Sequence, residues 1–267
     1  DVLNRLLASL DNISRSLETG SANDTMADLL ATVKNLSDLP DIQASRQTHL
    51  SALAEAGSGM RSHVEVDPRV GLRSFEALTA LKHDYAWAID LSLCVFPQEG
   101  LTNDPGTEEL LVRALQDGAD ALGGCPYTDT DPHVQIARLF ALATRFDVDL
   151  DFHLDFDLDA SWMHLDEVCR QTTVHGYGGR VAIGHVTKLS CLPPEAFARA
   201  AERLAEAGVA VTVLPATDVY LLGREATHDV PRGLTSAHRL LAQGVTCSVA
   251  TNNVLNPFTP FGDASLL

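Results

Sequence analysis

Basic side chains are scarce. Lysine and arginine together number 19 against 36 aspartates and glutamates, a formal charge of −17 at pH 7. Nucleic-acid phosphates and anionic bilayers both call for basic surfaces, so neither is an expected partner, and the acidity is read as a solvated surface. Long apolar runs are also missing. None approaches the roughly 18 residues of a membrane span, and the opening residues have no signal-peptide layout, so a cytoplasmic protein is expected. Cysteine is thin: Cys94, Cys125, Cys169, Cys191 and Cys247 are odd in number and show no CxxC spacing. That speaks against a disulfide framework or a zinc ribbon and for reduced thiols. The glycine pairs Gly123-Gly124 and Gly178-Gly179 lack a phosphate-loop pattern around them. Strand signals are absent before Met60.

What is present suits one large α/β domain. The chain has 267 residues, of which 45% are hydrophobic, enough for a substantial core. Residues 1–59 read as a helical segment, with helices expected over 1–19, 25–36 and 41–56 from apolar spacing and a closing Gly57. From residue 60 a rhythm sets in. Strand-like runs begin near Met60, Ala88, Ala121, Val148, Val181, Val209 and Val245, with helical patterns between them. A repeat of roughly 30 residues is the size of a βαβ unit and predicts a parallel sheet with crossover helices. Helix punctuation agrees, with Pro194 in a first turn and Gly208 past an end. Seven steps are one short of a closed eightfold barrel, and an open seven-stranded sheet is the rival.

Alternation along the strands separates two faces. Arg61, His63 and Glu65 share one parity, as do Asp149, Asp151, His153 and Asp155, while Val64, Leu150, Phe152 and Leu154 take the other. The apolar set is expected on the helices and the polar set toward the barrel axis. Charge there is costly unless paired or used, so four strands of it argue for a polar pocket.

His153 and His185 close two consecutive strands, where α/β barrels keep their chemistry. Asp155 shares the parity of His153; it is read as a proton acceptor or orienter, or else as a helix cap. Gln98 follows the second run and reads as a substrate amide or as a turn residue. Asn252 ends the last run in a turn-prone context. His164, His175, His228 and His238 are expected to be solvated.

At these residues the sequence resembles the amidohydrolase superfamily, within it the cytosine deaminases and isopropylammelide amidohydrolases. The likeness lies in SHVEVDP (62–68), VFPQEG (95–100), DFHLDFD (151–157), GRVAIGHVT (179–187), VLPATDVYLLGR (213–224) and TNNVLNPFTPFGD (251–263). It implies a (β/α)8 TIM-type barrel over 60–267, comprising strands two to eight. The family's first strand and small β-sandwich domain are then expected outside the chain given, which is read as part of a longer one. The implied activity is hydrolysis of a non-peptide C–N bond of a nitrogen heterocycle or cyclic amide by water activated on one divalent metal, zinc or iron. The expected partner is a small-molecule substrate, with further copies of the chain in any homo-oligomer.

Residue by residue, the resemblance makes His153 the metal ligand of the family's fifth strand and His185 the catalytic histidine of the sixth. Gln98 matches the glutamine that contacts the ring. The His63 strand lines the same pocket. Phe156 stands where deaminases carry a glutamate, and Asn252 where they carry the metal-binding, proton-accepting aspartate. No His-x-His precedes Met60. These departures open an alternative, a catalytically silent barrel that binds a small ligand.

Overall fold

The computed structural model describes residues 59–252 and 259–260. The three helices expected before Gly59 lie outside the described residues, as does 253–258. Seven strands form one all-parallel sheet in sequence order: β1 (Gly59–Glu65), β2 (Asp90–Phe96), β3 (Ala121–Gly124), β4 (Asp149–Leu154), β5 (Val181–His185), β6 (Val209–Val213) and β7 (Cys247–Val249). Among the described residues seven α-helices accompany them: α1 (Arg73–Asp84), α2 (Thr107–Gln116), α3 (Pro132–Phe146), α4 (Leu165–His175), α5 (Pro194–Ala207), α6 (Pro215–Leu221) and α7 (Ala237–Ala242). Among the described residues no helix is long and apolar enough to cross a membrane.

The apolar parity builds the core. Leu91, Leu93 and Val95 of β2, Leu150, Phe152 and Leu154 of β4, and Val209, Val211 and Val213 of β6 are buried in one cluster. Phe75, Leu111, Ile136, Phe140, Val168 and Leu204 from the helices join them there. Burying each large side chain contributes about 1.5–3 kcal/mol, which is why the strands turn this face outward to the helices. Local signals set the helix ends. Asp131 accepts the Val134 N–H at the start of α3, and α5 runs from Pro194 to a left-handed Gly208.

The sheet curls into a half-barrel, and its inner face shows by how much. Strands three apart in a flat sheet lie about 14 Å from one another. Here Arg61 Nη1 of β1 donates to Asp151 Oδ2 of β4 at 3.0 Å, and the His63 and His153 rings are 4.6 Å apart. The polar parity therefore faces a common interior. A flat arrangement is excluded, but among the described residues β7 does not pair with β1, so the curled sheet stays open at that seam.

One carboxylate ties the loop after β2 to the end of β3. Asp129 Oδ2 accepts the N–H groups of Leu101 at 2.6 Å and Thr102 at 3.0 Å, and Gln135 Nε2 at 2.8 Å. Gln135 Oε1 in turn accepts the Cys125 N–H. Burial works to raise the Asp129 pKa, but the Thr102 hydroxyl and the backbone donors outweigh it and hold the carboxyl below its ordinary range. Asp129→Ala is expected to cost about 2 kcal/mol, the scale of hydrogen bonds to a charged group, read as a lower urea midpoint. A group with a depressed folded pKa stabilises fully above its unfolded value, near 4, and loses that contribution as pH falls through the lower folded value. The difference between wild type and variant should therefore shrink only below about pH 4.

Candidate active site

The C-terminal ends of parallel strands share one edge of the sheet, and the predicted site residues gather there. His153, next to last in β4, stands in the middle. The Phe96 ring from β2 stacks on it at 4.9 Å, the His63 ring meets it edge-on at 4.6 Å, and the His185 ring from β5 lies at 5.3 Å. Phe156 packs 4.5 Å from His185. Four residues expected at the site, His63, His153, His185 and Phe156, thus lie together.

Their electrostatics differ. Burial, then His63 and His185, push the His153 pKa well below the usual imidazole value, so the ring is neutral. Its Nδ1 is buried with no hydrogen-bond partner. For His63, burial opposes the charged form, but Cys94 and Asp151 outweigh it and raise the pKa well above the ordinary value. Its Nε2 lies 3.6 Å from Asp151 Oδ1, an ion-pair distance and not a hydrogen bond. Burial alone would raise the Asp151 pKa; His63 and Arg61 lower it. Asp151 thus sits between Arg61 and His63, whose ring in turn meets His153 edge-on.

His185 is held differently. Its Nδ1 is 2.6 Å from Asp218 Oδ1 in α6, with both side chains buried. The other Asp218 oxygen accepts the Leu214 N–H at 3.3 Å. His185 and Val186 adopt φ values of 68° and 45°, and a β-branched residue in that region is strained by about 1–3 kcal/mol. Thr235 anchors the turn, its hydroxyl donating to the carbonyl of Val186 at 2.9 Å.

Asp155 sits just beyond β4 with φ 51°, and its carboxylate is fully buried. Oδ1 accepts the His164 N–H at 2.8 Å and Oδ2 the Leu165 N–H at 3.1 Å, so both oxygens serve the start of α4. That is the helix-cap role also considered for it. His164 beside it is 6% exposed, not solvated as expected, because its N–H is bonded to the buried Asp155 and its ring packs edge-on against Trp162 and His133. Gln98 lies two residues past β2; its Nε2 donates to Cys125 Sγ at 3.3 Å and its backbone carbonyl accepts the Thr128 hydroxyl at 2.7 Å. Burial pushes the Cys125 thiol up to about 11, so it stays protonated. Asn252 stands three residues past β7 with φ 61°, half-buried.

Sequence reasoning missed Asp218, Cys125 and Lys188 as contributors. Asp218 carried a signal: an acid in the first turn of a helix opened by Pro215 at a strand tip. Lys188 is fully buried, with Nζ 3.0 Å from the Trp162 carbonyl and 3.1 Å from Asp157 Oδ2.

A catalytic zinc normally takes three protein ligands and keeps an open position. Among the described residues no group of three His, Cys, Asp or Glu side chains could hold a metal ion. The unpartnered Nδ1 of neutral His153 suits a ligand, whereas His63 is paired with Asp151 and His185 Nδ1 is taken by Asp218. The described residues alone do not complete such a site.

The sequence profile of the amidohydrolase family matches residues 55–266. A pterin deaminase of Rhizobium rhizogenes is 27% identical over 217 residues, covering 80% of this chain and 49% of that protein. The N-isopropylammelide isopropyl amidohydrolase of Pseudomonas sp. strain ADP is 25% identical over 210 residues, covering 78% and 49%. The chain spans about half the length of the curated relatives it matches. Among solved structures, N-isopropylammelide isopropylaminohydrolase from Burkholderia multivorans is 28% identical with a TM-score of 0.70, covering 95% of this chain and 58% of that one. The 5-methylcytosine deaminase of Klebsiella pneumoniae liganded with phosphonocytosine is 25% identical with a TM-score of 0.76, covering 96% and 60%. With the half-barrel and its row of histidines on one strand edge, the match over most of its length means that the chain belongs to the amidohydrolase family.

Proposed function

We propose that the protein containing this chain hydrolyses a non-peptide C–N bond of a nitrogen heterocycle or cyclic amide and releases ammonia or an amine. The observation that carries this reading is the row His63, His153 and His185 at the strand tips, flanked by Phe96 and Phe156. Aromatic faces beside imidazoles are the chemistry that a flat, polar-edged ring calls for. The deaminase and amidohydrolase relatives supply the reaction class.

In the proposed chemistry water forms a C–O bond to the ring carbon and the C–N bond breaks. His185 takes the proton from the water and delivers it to the departing nitrogen. Gln98 meets the ring edge through its amide, with its orientation set by Cys125. His153 is the ligand these residues would offer to the divalent metal that the resemblance implies. Asp155 keeps the exit of β4 in place by capping α4, and Asn252 follows the tip of β7.

The test is a turnover screen of the full-length protein with N-isopropylammelide, pterin and 5-methylcytosine, reading ammonia and isopropylamine. Release from at least one is expected. Gln98→Ala should lower kcat/KM for that compound by about 5–150-fold, the 1–3 kcal/mol cost of an unsatisfied buried partner. No release from any of the three would remove the reading in favour of ligand binding without turnover.

A further inference from the structure

Asp218 lies outside the row of histidines, in a helix after β6, and is joined to His185 only through side chains separated by 33 positions in sequence. The carboxylate is fully buried. Its two oxygens are occupied by His185 Nδ1 at 2.6 Å and by the Leu214 N–H at 3.3 Å. A carboxylate can only accept, so in this contact Nδ1 carries the hydrogen. A neutral imidazole has one N–H, and placing it on Nδ1 leaves Nε2 as the acceptor. The backbone adds a second constraint, since the left-handed turn at His185 and Val186 is tied down by Thr235.

We propose that Asp218 is the positioning residue of the reaction: it locks His185 in the Nδ1–H tautomer and turns Nε2 toward the attacking water. This rests on the hydrolase reading given above. When the water proton passes to Nε2, the adjacent carboxylate balances the imidazolium until the proton reaches the leaving nitrogen. The C–O bond has then formed, the C–N bond has broken, and His185 and Asp218 are back in their starting states. Asp218 touches neither water nor substrate.

Asp218→Asn is the informative variant. It keeps the size of the side chain, but its NH2 can donate to Nδ1 and favour the opposite tautomer, with Nε2 carrying the hydrogen. A buried His–Asp pair altered in this way in a serine protease loses about 10⁴ in kcat. Here kcat should fall about 10²–10⁴-fold with KM changed less than about threefold, because binding contacts are untouched. Asp218→Glu should recover part of the loss.

The decisive measurement needs no substrate. Nitrogen-15 NMR of histidine-labelled protein reports which ring nitrogen is protonated, with the His185 signal assigned by its loss in His185→Gln. Wild type is expected to show the Nδ1–H tautomer and Asp218→Asn to depart from it. An Nε2–H tautomer in wild type, or an unchanged signal in the variant, overturns the proposal. So does an Asp218→Asn enzyme within threefold of wild-type kcat while His185→Gln is inactive, a result that leaves the hydrolase reading intact. Absence of turnover in wild type would remove the hydrolase reading, and with it the catalytic role of Asp218, even if the tautomer is as expected.

Discussion

His185→Ala should abolish most turnover and also lower stability, whereas His185→Gln should abolish turnover alone. General acid–base catalysis contributes about 10²–10⁴-fold, equivalent to roughly 3–5 kcal/mol of barrier. Alanine removes that and more. It leaves the fully buried Asp218 carboxylate without its His185 donor, and an unsatisfied buried acceptor costs about 1–3 kcal/mol of folding free energy, more when it is charged. Glutamine restores an N–H donor for Asp218 but cannot carry a proton between water and a leaving group. Steady-state kinetics set beside thermal melts of both variants would separate the two effects. Equal stability of the alanine and glutamine variants would mean that Asp218 is satisfied some other way.

Gly123→Ala is expected to damage the fold from the inside of the half-barrel. A Cβ at this position would meet the Asp151 carbonyl oxygen at 2.6 Å, Phe96 Cβ at 2.9 Å and Cys94 Sγ at 3.1 Å. The first of these is backbone and cannot swing aside. Relief requires β3 and β4 to part, with a cost of about 3 kcal/mol and a fall in melting temperature of about 6–12 °C. The damage should reach the site, because β2 and β4 carry Phe96 and His153. Calorimetry of the purified variant checks the first effect and the turnover screen the second. A variant melting within 2 °C of wild type would show that the strands yield more easily than close packing allows.

The strands were legible because burial is periodic. Apolar side chains at every second position, in runs spaced by one helix, leave few alternatives to a parallel sheet, and each of the seven strands begins within about two residues of its expected start. Gly123 was the hidden part. In sequence it was half of a glycine pair with no phosphate-loop pattern around it, while its physical use is to leave room beside β3 for Phe96, Cys94 and the Asp151 carbonyl. Asp155 shows where alternation stops being informative. It shares the parity of His153, but β4 ends at Leu154 and the chain turns left-handed at 155, which swings the carboxylate to α4. Asp218 could not be found by parity at all, because it sits on a helix and meets His185 across the neighbouring tips of β5 and β6.

Lys188 turns one of the 2 tryptophans into an optical gauge. Its ammonium lies 3.0 Å from the centre of the Trp162 indole and also grips the backbone of the loop that carries it. Trp87, at 78% exposed, already samples water and has little left to report. Emission from Trp162 is therefore tied to whether the loop between β4 and α4 is seated on the lysine. A ligand arriving beside Phe156 and His185 that lifts or presses this loop is visible in the intrinsic fluorescence of the unlabelled protein, without knowledge of what that ligand is.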